Sequence, residues 1–528
     1  MHDLLNDPLI GIRTSHGRTQ VSLPELLARL CAGDVEGCTG LRPHQADPWH
    51  VFLVQIAASV LARHPDIDPA RPPAEAAFWR NGLLDLAQGQ ASAWHLLVED
   101  LTLPAFMQHP LAKGAAELKD AFKPKAESPD ALDVLVTAKN HDLKMARVSA
   151  NAVTAWLYSL VTYQTISGFL GQGNYGTVRM NGGFASRPVV SLVRSTRHAE
   201  RFAEEVGIAC GTRAAIVGKH GYVECGVVLT WLQNWARNDH QYTVSQLEPW
   251  FVEAVRPLRL IQSAGKWVAM GAPSKARLIG PKEVDNGVVG DLWIPVNEED
   301  KKKGRSALTL SAAGWTAEKL TDLLFEQGFS LTPLQKTRSG EGDRWFVGST
   351  IVRGQGTTDG FHEFRIPVPA KARAALFAPA TAESLGKYAR ELLKDAASAG
   401  QSLHAGLMAL AEGGPESVDF KKKAIVPWAE QIRARPARSW SDRYFPTLWR
   451  AVDPEVRDNV RADWRAGLVA DARRALHEAE QQLPIPSARG WRASIRARWV
   501  LDAALRKAAL LPERERRTES DLIEEESV

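Results

Sequence analysis

Apolar positions in the last third of the chain recur at three- and four-residue spacing, the period of a helix with one buried stripe. Thr381 precedes such a stripe, formed by Leu385, Tyr388, Ala389, Leu392 and Leu393. Asp453-Pro454-Glu455 reads as an N-cap, a first-turn proline and a first-turn acid, with Val456, Val460, Trp464, Leu468, Ala472, Leu476 and Leu483 following at helical spacing. Ser487 opens a further helix, with Trp491, Ile495 and Trp499 on one face and Arg489, Arg492 and Arg496 beside them. With a shorter helix over residues 402–410, the pattern predicts an up-and-down bundle of about four helices.

Ahead of this region the period changes. Residues 51–61 are a continuous apolar run of helical length, whereas 189–193, 267–270, 293–296, 346–352 and 364–368 are short apolar runs bounded by Gly, Pro, Asn and Asp, the signature of strands. The expected fold class is α+β: a large irregular mixed α/β domain over residues 1–370, then a C-terminal four-helix bundle over 375–512. Proline-containing turns at 367–379 mark the boundary, and 513–528 form an acidic tail expected to stay disordered. Lys301-Lys302-Lys303-Gly304 marks an exposed loop inside the first domain.

Composition narrows the class. At 528 residues, 45% apolar and 24% charged, the chain is long and apolar enough for at least two cores and is no disordered polymer. Its 4 cysteines, Cys31, Cys38, Cys210 and Cys225, are too few and too scattered for a disulfide framework or for paired zinc knuckles. With no secretory leader and no run of ~18 apolar residues, the expectation is a cytoplasmic protein that does not cross a membrane. The net charge of +4 is unevenly spread: residues 433–517 carry eighteen Arg and one Lys against eleven acids, while 518–528 add five acids. An arginine-dominated excess suits phosphate or carboxylate contact, although solvated helix faces explain it equally well.

A search for catalytic groups returns little. There is no phosphate loop, since the Gly-Lys near His220 has the wrong spacing, and His362-Glu363 lacks the second histidine of a zinc helix. Ser402, in Gly400-Gln401-Ser402-Leu403-His404, lacks the second glycine of a nucleophile elbow. His141-Asp142 is a dipeptide of the kind metal phosphohydrolases use, and it keeps a metal-dependent phosphohydrolase or nuclease open as an alternative reading. Otherwise the chain reads as non-catalytic, with no cofactor and no metal.

Two glycine-rich segments stand out. Residues 168–188 hold Gly168, Gly171, Gly173, Gly176, Gly182 and Gly183 among Asn174, Arg179, Asn181 and Arg187, a backbone able to approach another backbone closely beside groups that suit a nucleic-acid groove. The plainer reading is a set of tight turns around Tyr175 and Phe184. The second segment is Arg353-Gly354-Gln355-Gly356 between two strand-like runs, a hairpin tip that pushes Gln355 outward, or simply a turn.

Taken together, several segments give the chain a resemblance to CasA, the large subunit of the type I-E CRISPR surveillance complex Cascade. They are Asp7-Pro8-Leu9-Ile10-Gly11-Ile12-Arg13 with Val21-Ser22-Leu23-Pro24-Glu25-Leu26-Leu27, Arg42-Pro43-His44-Gln45, Phe106-Met107-Gln108, the glycine loop with Asn181-Gly182-Gly183-Phe184-Ala185-Ser186-Arg187-Pro188, Trp250-Phe251-Val252-Glu253, and Arg353-Gly354-Gln355-Gly356. Each is weak alone; their order and spacing, from Asp7 to about Leu510, are specific.

The resemblance implies a non-catalytic protein that finds foreign double-stranded DNA by its protospacer-adjacent motif and starts strand opening, so that a guide RNA can pair. It implies a glycine loop at Gly173, Asn174 and Gly176, a glutamine wedge at Gln355 flanked by Gly354 and Gly356, and a lysine finger at Lys282, with Lys275 in reserve. All of these would reach the motif from the minor groove, where the few distinguishing groups allow several motifs to be tolerated. A guide-RNA and backbone-subunit contact would fall at Lys139 and Asn140, and the bundle, through Arg433, Arg435 and Arg438, would meet the displaced strand. The implied partners are the backbone, small and guide-capping subunits, guide RNA, target duplex DNA, and a nuclease recruited in trans or carried on another subunit. Two departures matter: the paired Cys-x-x-Cys of some relatives is missing, and the loop reads Gln172-Gly173-Asn174-Tyr175-Gly176 instead of an unbroken glycine string. A purely structural scaffold subunit is the remaining alternative.

Overall fold

The computed structural model describes residues 2–133, 135, 152–180, 186–234, 241–274, 276–280, 285–300, 302, 304–337, 342–354, 357–483 and 487–512. The chain divides into two compact units, Met1–Trp315 with Glu326–Ala370, and Thr316–Phe325 with Lys371–Val528. The first mixes helices and strands and the second is helical. The helix Ala317–Leu324, which comes from within the first 370 residues, is part of the second unit.

The first unit is built around a helix without a polar face. Pro43–Leu61 is buried from Pro48 onward, which is why its sequence shows a continuous apolar run and no stripe. It begins well before that run because Pro43 takes the first helical turn and the Arg42 N–H donates to the Gln45 side chain at 3.0 Å. The helices Val153–Thr165 and His198–His220 and the strand Leu247–Val252 pack around it, with Trp49 stacked on Phe52 and edge-on to Tyr158.

A polar network crosses this core. Glu205 accepts from His50 at 3.0 Å, Arg201 at 2.9 Å and the Trp293 indole at 2.7 Å. Burial alone would raise the Glu205 carboxyl, but Arg201 and His50 outweigh it and hold it far below the usual range. Trp293 is thereby fixed in a buried turn. The strand expected over 293–296 therefore starts only at its last residue and runs Val296–Asp300.

Strands among the described residues form several small sheets. Two of them carry the glycine-rich hairpin and its surroundings. One is antiparallel, with Arg344–Gly354 between Val189–Val193 and Thr357–Val368. The other joins Lys123–Ala126, Lys266–Gly271 and Leu258–Ser263.

The helical unit departs instructively from its sequence pattern. The two helices expected over 381–393 and 402–410 are one, Pro379–Ala411, in which Ser402 returns its hydroxyl to the Ser398 carbonyl at 2.9 Å and so causes no break. Val426–Arg450 is a helix that periodicity misses, since Pro436 and Pro446 interrupt it; Trp440, Tyr444, Phe445 and Leu448 nonetheless lie buried along it. Asp453-Pro454-Glu455 is not the N-cap of the next helix. Pro454–Val456 is a short 3₁₀ turn, the Asp453 side chain pairs with Lys371, and the helix runs Arg457–Gln482. On the last helix, Ser487–Lys507, the inward stripe is Ala493, Ala497, Leu501 and Leu505, while Trp491, Ile495 and Trp499 are exposed by 76%, 47% and 54%. Small residues explain the inversion: a Cβ on Gly406 would lie 3.1 Å from Leu501 and 3.3 Å from the Ala497 carbonyl, so the two helices approach too closely for indoles between them.

Candidate nucleic-acid interface

The helix Val153–Thr165 ends where the glycine loop begins, and one arginine joins the two. Arg256, 3% exposed, donates to the Tyr163 carbonyl at 2.8 Å and to the Gly168 carbonyl at 2.6 Å. Its backbone N–H reaches the Gln164 side chain at 2.9 Å, and that side chain returns a bond to the Arg256 carbonyl at 3.0 Å. A guanidinium at a helix C-terminus meets both the orphan carbonyls and the negative end of the helix dipole.

From there the loop closes on itself through its glycines. A side chain at Gly176 would put its Cβ 2.2 Å from the Gly168 carbonyl carbon, so this position tolerates hydrogen alone. Gly173 has φ +77 and packs against Pro273, a backbone that L side chains rarely adopt. The turn is held by Leu170 N–H to Asn174 O and Asn174 N–H to Gly171 O, both 2.9 Å. Gln172 is exposed, Gly173 and Asn174 half-exposed, and Gly176 buried. Phe169 packs on Tyr175, while Phe184, the expected partner of Tyr175, lies outside the described residues; the loop's tip faces outward.

The loop's exit is anchored by the Trp250-Phe251-Val252-Glu253 segment. Glu253 accepts from the Thr177 hydroxyl at 2.7 Å and the Val178 N–H at 3.0 Å. Burial nevertheless holds its carboxyl above the ordinary range. Arg179 and Arg187, which look like groove-facing groups in the sequence, are buried and share Asp291; Arg179 also lies over the Phe251 ring at 3.9 Å. They hold the loop and do not face outward.

The second glycine-rich segment caps the long hairpin. Gly354 pairs with Thr357 and Arg353 with Thr358; Gln355 and Gly356 lie outside the described residues. Ile351 and Phe361, near that end, pack in the same core as Tyr163. Arg353 donates to the Thr358 hydroxyl at 2.9 Å. Burial lowers its pKa to about 10, and the like charge of Arg256 adds to the fall. Arg256 lies 4.6 Å from the Tyr163 ring centre, and Lys125, exposed on the strand Lys123–Ala126, stands 5.9 Å from it. Arg256 thus joins the glycine loop to Tyr163, and its charge is felt at Arg353 of the hairpin.

Lys275, Lys282, Lys139, Asn140 and the His141-Asp142 pair lie outside the described residues. The neighbours of Lys275 are informative: Ser274 donates its N–H to the Gly173 carbonyl at 2.9 Å, so the glycine-loop tip rests on the residue next to it. In the helical unit Arg433 is paired with Glu430 at 2.6 Å, while Arg435 and Arg438 are exposed without a carboxylate partner among the described residues. Arg256, Tyr163 and Lys125 escape sequence reasoning. Two arginines, Arg256 and Arg259, in the mainly apolar segment 247–261, which also holds Glu248 and Glu253, are the signal that points to one of them. Among the described residues there is no His, Cys, Asp and Glu cluster fit for a metal and no helix long and apolar enough to cross a membrane.

Comparison with solved structures gives whole-length matches. CasA from Thermus thermophilus superposes with a TM-score of 0.62 at 14% identity, over 96% of this chain and 99% of that one. The chain has the CasA (Cse1) fold. The CRISPR-associated protein Cse1 from Acidimicrobium ferrooxidans matches at TM-score 0.60 and 16% identity, over 96% of this chain and 98% of the other. A chain of a CRISPR RNA-guided surveillance complex matches at 0.52 and 14%, over 95% and 99%. No protein-family model and no curated protein matches the chain. CasA structures thus share both the mixed unit and the helical unit of this chain.

Proposed function

We propose that this chain is the large, non-catalytic subunit of a type I-E Cascade complex, which recognises the protospacer-adjacent motif of foreign duplex DNA and begins the strand opening that lets guide RNA pair. The observation that carries the reading is the CasA fold over 96% of the chain, together with ordered motifs from Asp7 to Arg353. The backbone, small and guide-capping subunits, guide RNA and target duplex are its partners, in the cytoplasm, and a nuclease acting in trans or on another subunit cuts the DNA. The tip at Gly173 and Asn174, with a lysine at 282 or 275, feels the minor groove, a slot ~6 Å wide that excludes larger side chains. Gly176 acts by shaping that tip. Gln355, held between Gly354 and Gly356, wedges into the base stack, at a cost of a few kcal/mol per step repaid by contacts to the deformed duplex. The exposed Trp491, Ile495 and Trp499 face docks a neighbouring subunit, and Arg435 and Arg438 run beside the displaced strand. Lys139 and Asn140 touch the guide or the adjoining backbone subunit.

The test is stopped-flow opening of a target duplex carrying a fluorescent base analogue next to the motif, using the assembled complex. Gln355→Ala should slow opening at least about tenfold, from the loss of the wedge, while binding to a pre-opened target stays unchanged. Opening at the parental rate contradicts the reading.

A further inference from the structure

The last helix of the bundle leaves one face without a partner among the described residues. Trp491 is 76% exposed, more than any other large apolar side chain described, and Ile495 and Trp499 continue its stripe. They line one side of a groove of about 410 Å³, whose other wall is the turn at Gly414, Pro415 and Glu416. That turn lies hard against the helix. A Cβ on Gly414 would stand 2.9 Å from the Ala493 Cα, and Arg496 donates to the Glu416 carbonyl at 2.8 Å. The groove is also cationic. The Arg496 guanidinium lies 4.6 Å from the Trp499 ring centre, and its Nε is buried without an acceptor among the described residues. Arg492 is exposed on the same groove with no ion pair among the described residues, and one acid, Glu416, stands on the wall. A contiguous apolar patch of this kind marks an interaction site. What covers it best brings aliphatic side chains for the indoles and carboxylates for the guanidiniums.

The chain itself carries such a segment close by. Past Pro512, the last described residue, it runs Glu513-Arg514-Glu515-Arg516-Arg517-Thr518 and then Glu519-Ser520-Asp521-Leu522-Ile523-Glu524-Glu525-Glu526, two aliphatic side chains flanked by five acids. We propose that residues 519–526 lie along this groove in the free subunit, with Leu522 and Ile523 on the Trp491 to Trp499 stripe and the acids about Arg492 and Arg496, and that they leave when another subunit docks there. Reach allows it: Lys507 ends the helix ~12 Å beyond Trp499, and the six residues 513–518 extend up to ~20 Å. Tethering favours it, because a short linker holds the segment at a local concentration in the millimolar range and so populates even a weak contact. A second copy seated through the same face would set Arg492 and Arg496 against their own equivalents and has no tether. The docking stands by itself; its displacement on assembly rests on the reading above.

The experiment is photo-crosslinking from an amino acid placed at Leu522 in the free chain, with acrylamide quenching of tryptophan fluorescence measured on the parent and on a chain ended at Pro512. Crosslinks within one molecule to residues 414–416 or 491–499 are expected, and quenching should strengthen once the segment is gone, because Trp491 and Trp499 are then open to solvent. Arg492→Glu should lower the crosslink yield at least about threefold, through a lost ion pair and a new repulsion, and Glu524→Lys, Glu525→Lys and Glu526→Lys added to that variant should restore it. The chain ended at Pro512 should join the remaining subunits at least about threefold more tightly than the parent, since the competing state is removed. Crosslinks that map elsewhere on the chain, or quenching unchanged by the truncation, overturn the docking. Crosslinks only between molecules seat a second copy on the groove and overturn it too. So does an absence of crosslinks in the free chain while Trp491→Ala with Trp499→Ala blocks assembly, which assigns the face to the neighbouring subunit alone. Equal assembly by parent and truncated chain overturns the displacement only. Failure of both to enter a guide-RNA complex overturns the underlying reading, while the docking stands on its crosslinks.

Discussion

Arginines work differently in the helical unit and beside the glycine loop. In the helical unit they close on acids: Arg461 and Arg465 both grip Asp395, Arg473 meets Asp502, and Arg443 pairs with Asp471 and Arg498 with Glu480. Many of the arginines of residues 433–517 are thus engaged with acids of their own unit and fasten helix to helix. Beside the glycine loop Arg256 holds backbone carbonyls, and in the hairpin Arg353 holds the Thr358 hydroxyl, neither with an ion pair among the described residues. The contrast teaches that an arginine count is a poor guide to a binding face.

The largest effect expected from breaking this contrast comes from backbone. Gly176→Val forces a side chain into the Gly168 peptide 2.2 Å away and should cost about 3 kcal/mol, the upper range for overpacking. A lower midpoint in denaturant unfolding of the full chain, with motif-dependent DNA binding lost in the assembled complex, is the expected readout. Next comes Asp395. Burial would raise its carboxyl, but Arg461 and Arg465 outweigh burial and hold it below the usual range. Its stabilisation is therefore present above its unfolded pKa of ~3.9 and lost as pH falls through the depressed folded value. Asp395→Asn should cost about 1–2 kcal/mol at pH 7, an allowance that includes screening of the part-exposed arginines; the gap from the parent should narrow in unfolding measured at successively lower pH below ~3.9. Smallest is Arg435→Gln with Arg438→Gln. Exposed and without ion pairs among the described residues, they should shift stability by under about 0.5 kcal/mol while flattening the salt dependence of binding to a target with a displaced strand.

The fold was legible where one period ruled a segment. The strand Val189–Val193 and the stripe beginning at Leu385 follow directly from spacing. Spacing failed where a helix tolerates prolines, as in Val426–Arg450, and where a helix packs its smallest residues inward, as alanines do in Ser487–Lys507 while its tryptophans face out. Apolar periodicity finds a stripe, but packing distance decides which stripe is buried. At the site, glycines announced a loop of close approaches, and Gly173 and Gly176 have geometric reasons to be glycine. The link from that loop through the charge of Arg256 to a hairpin almost two hundred residues away has no local pattern to read.

The central claim is that the loop tip and the hairpin tip work on the same few base pairs. Photo-crosslinking amino acids at Gln172 and at Gln355, each in the assembled complex bound to a motif-bearing duplex, test it most directly. Crosslinks from both positions within the motif and its first adjoining base pair are the expected result. A position-172 probe that crosslinks only to protein, or to DNA remote from the position-355 crosslink, contradicts the account.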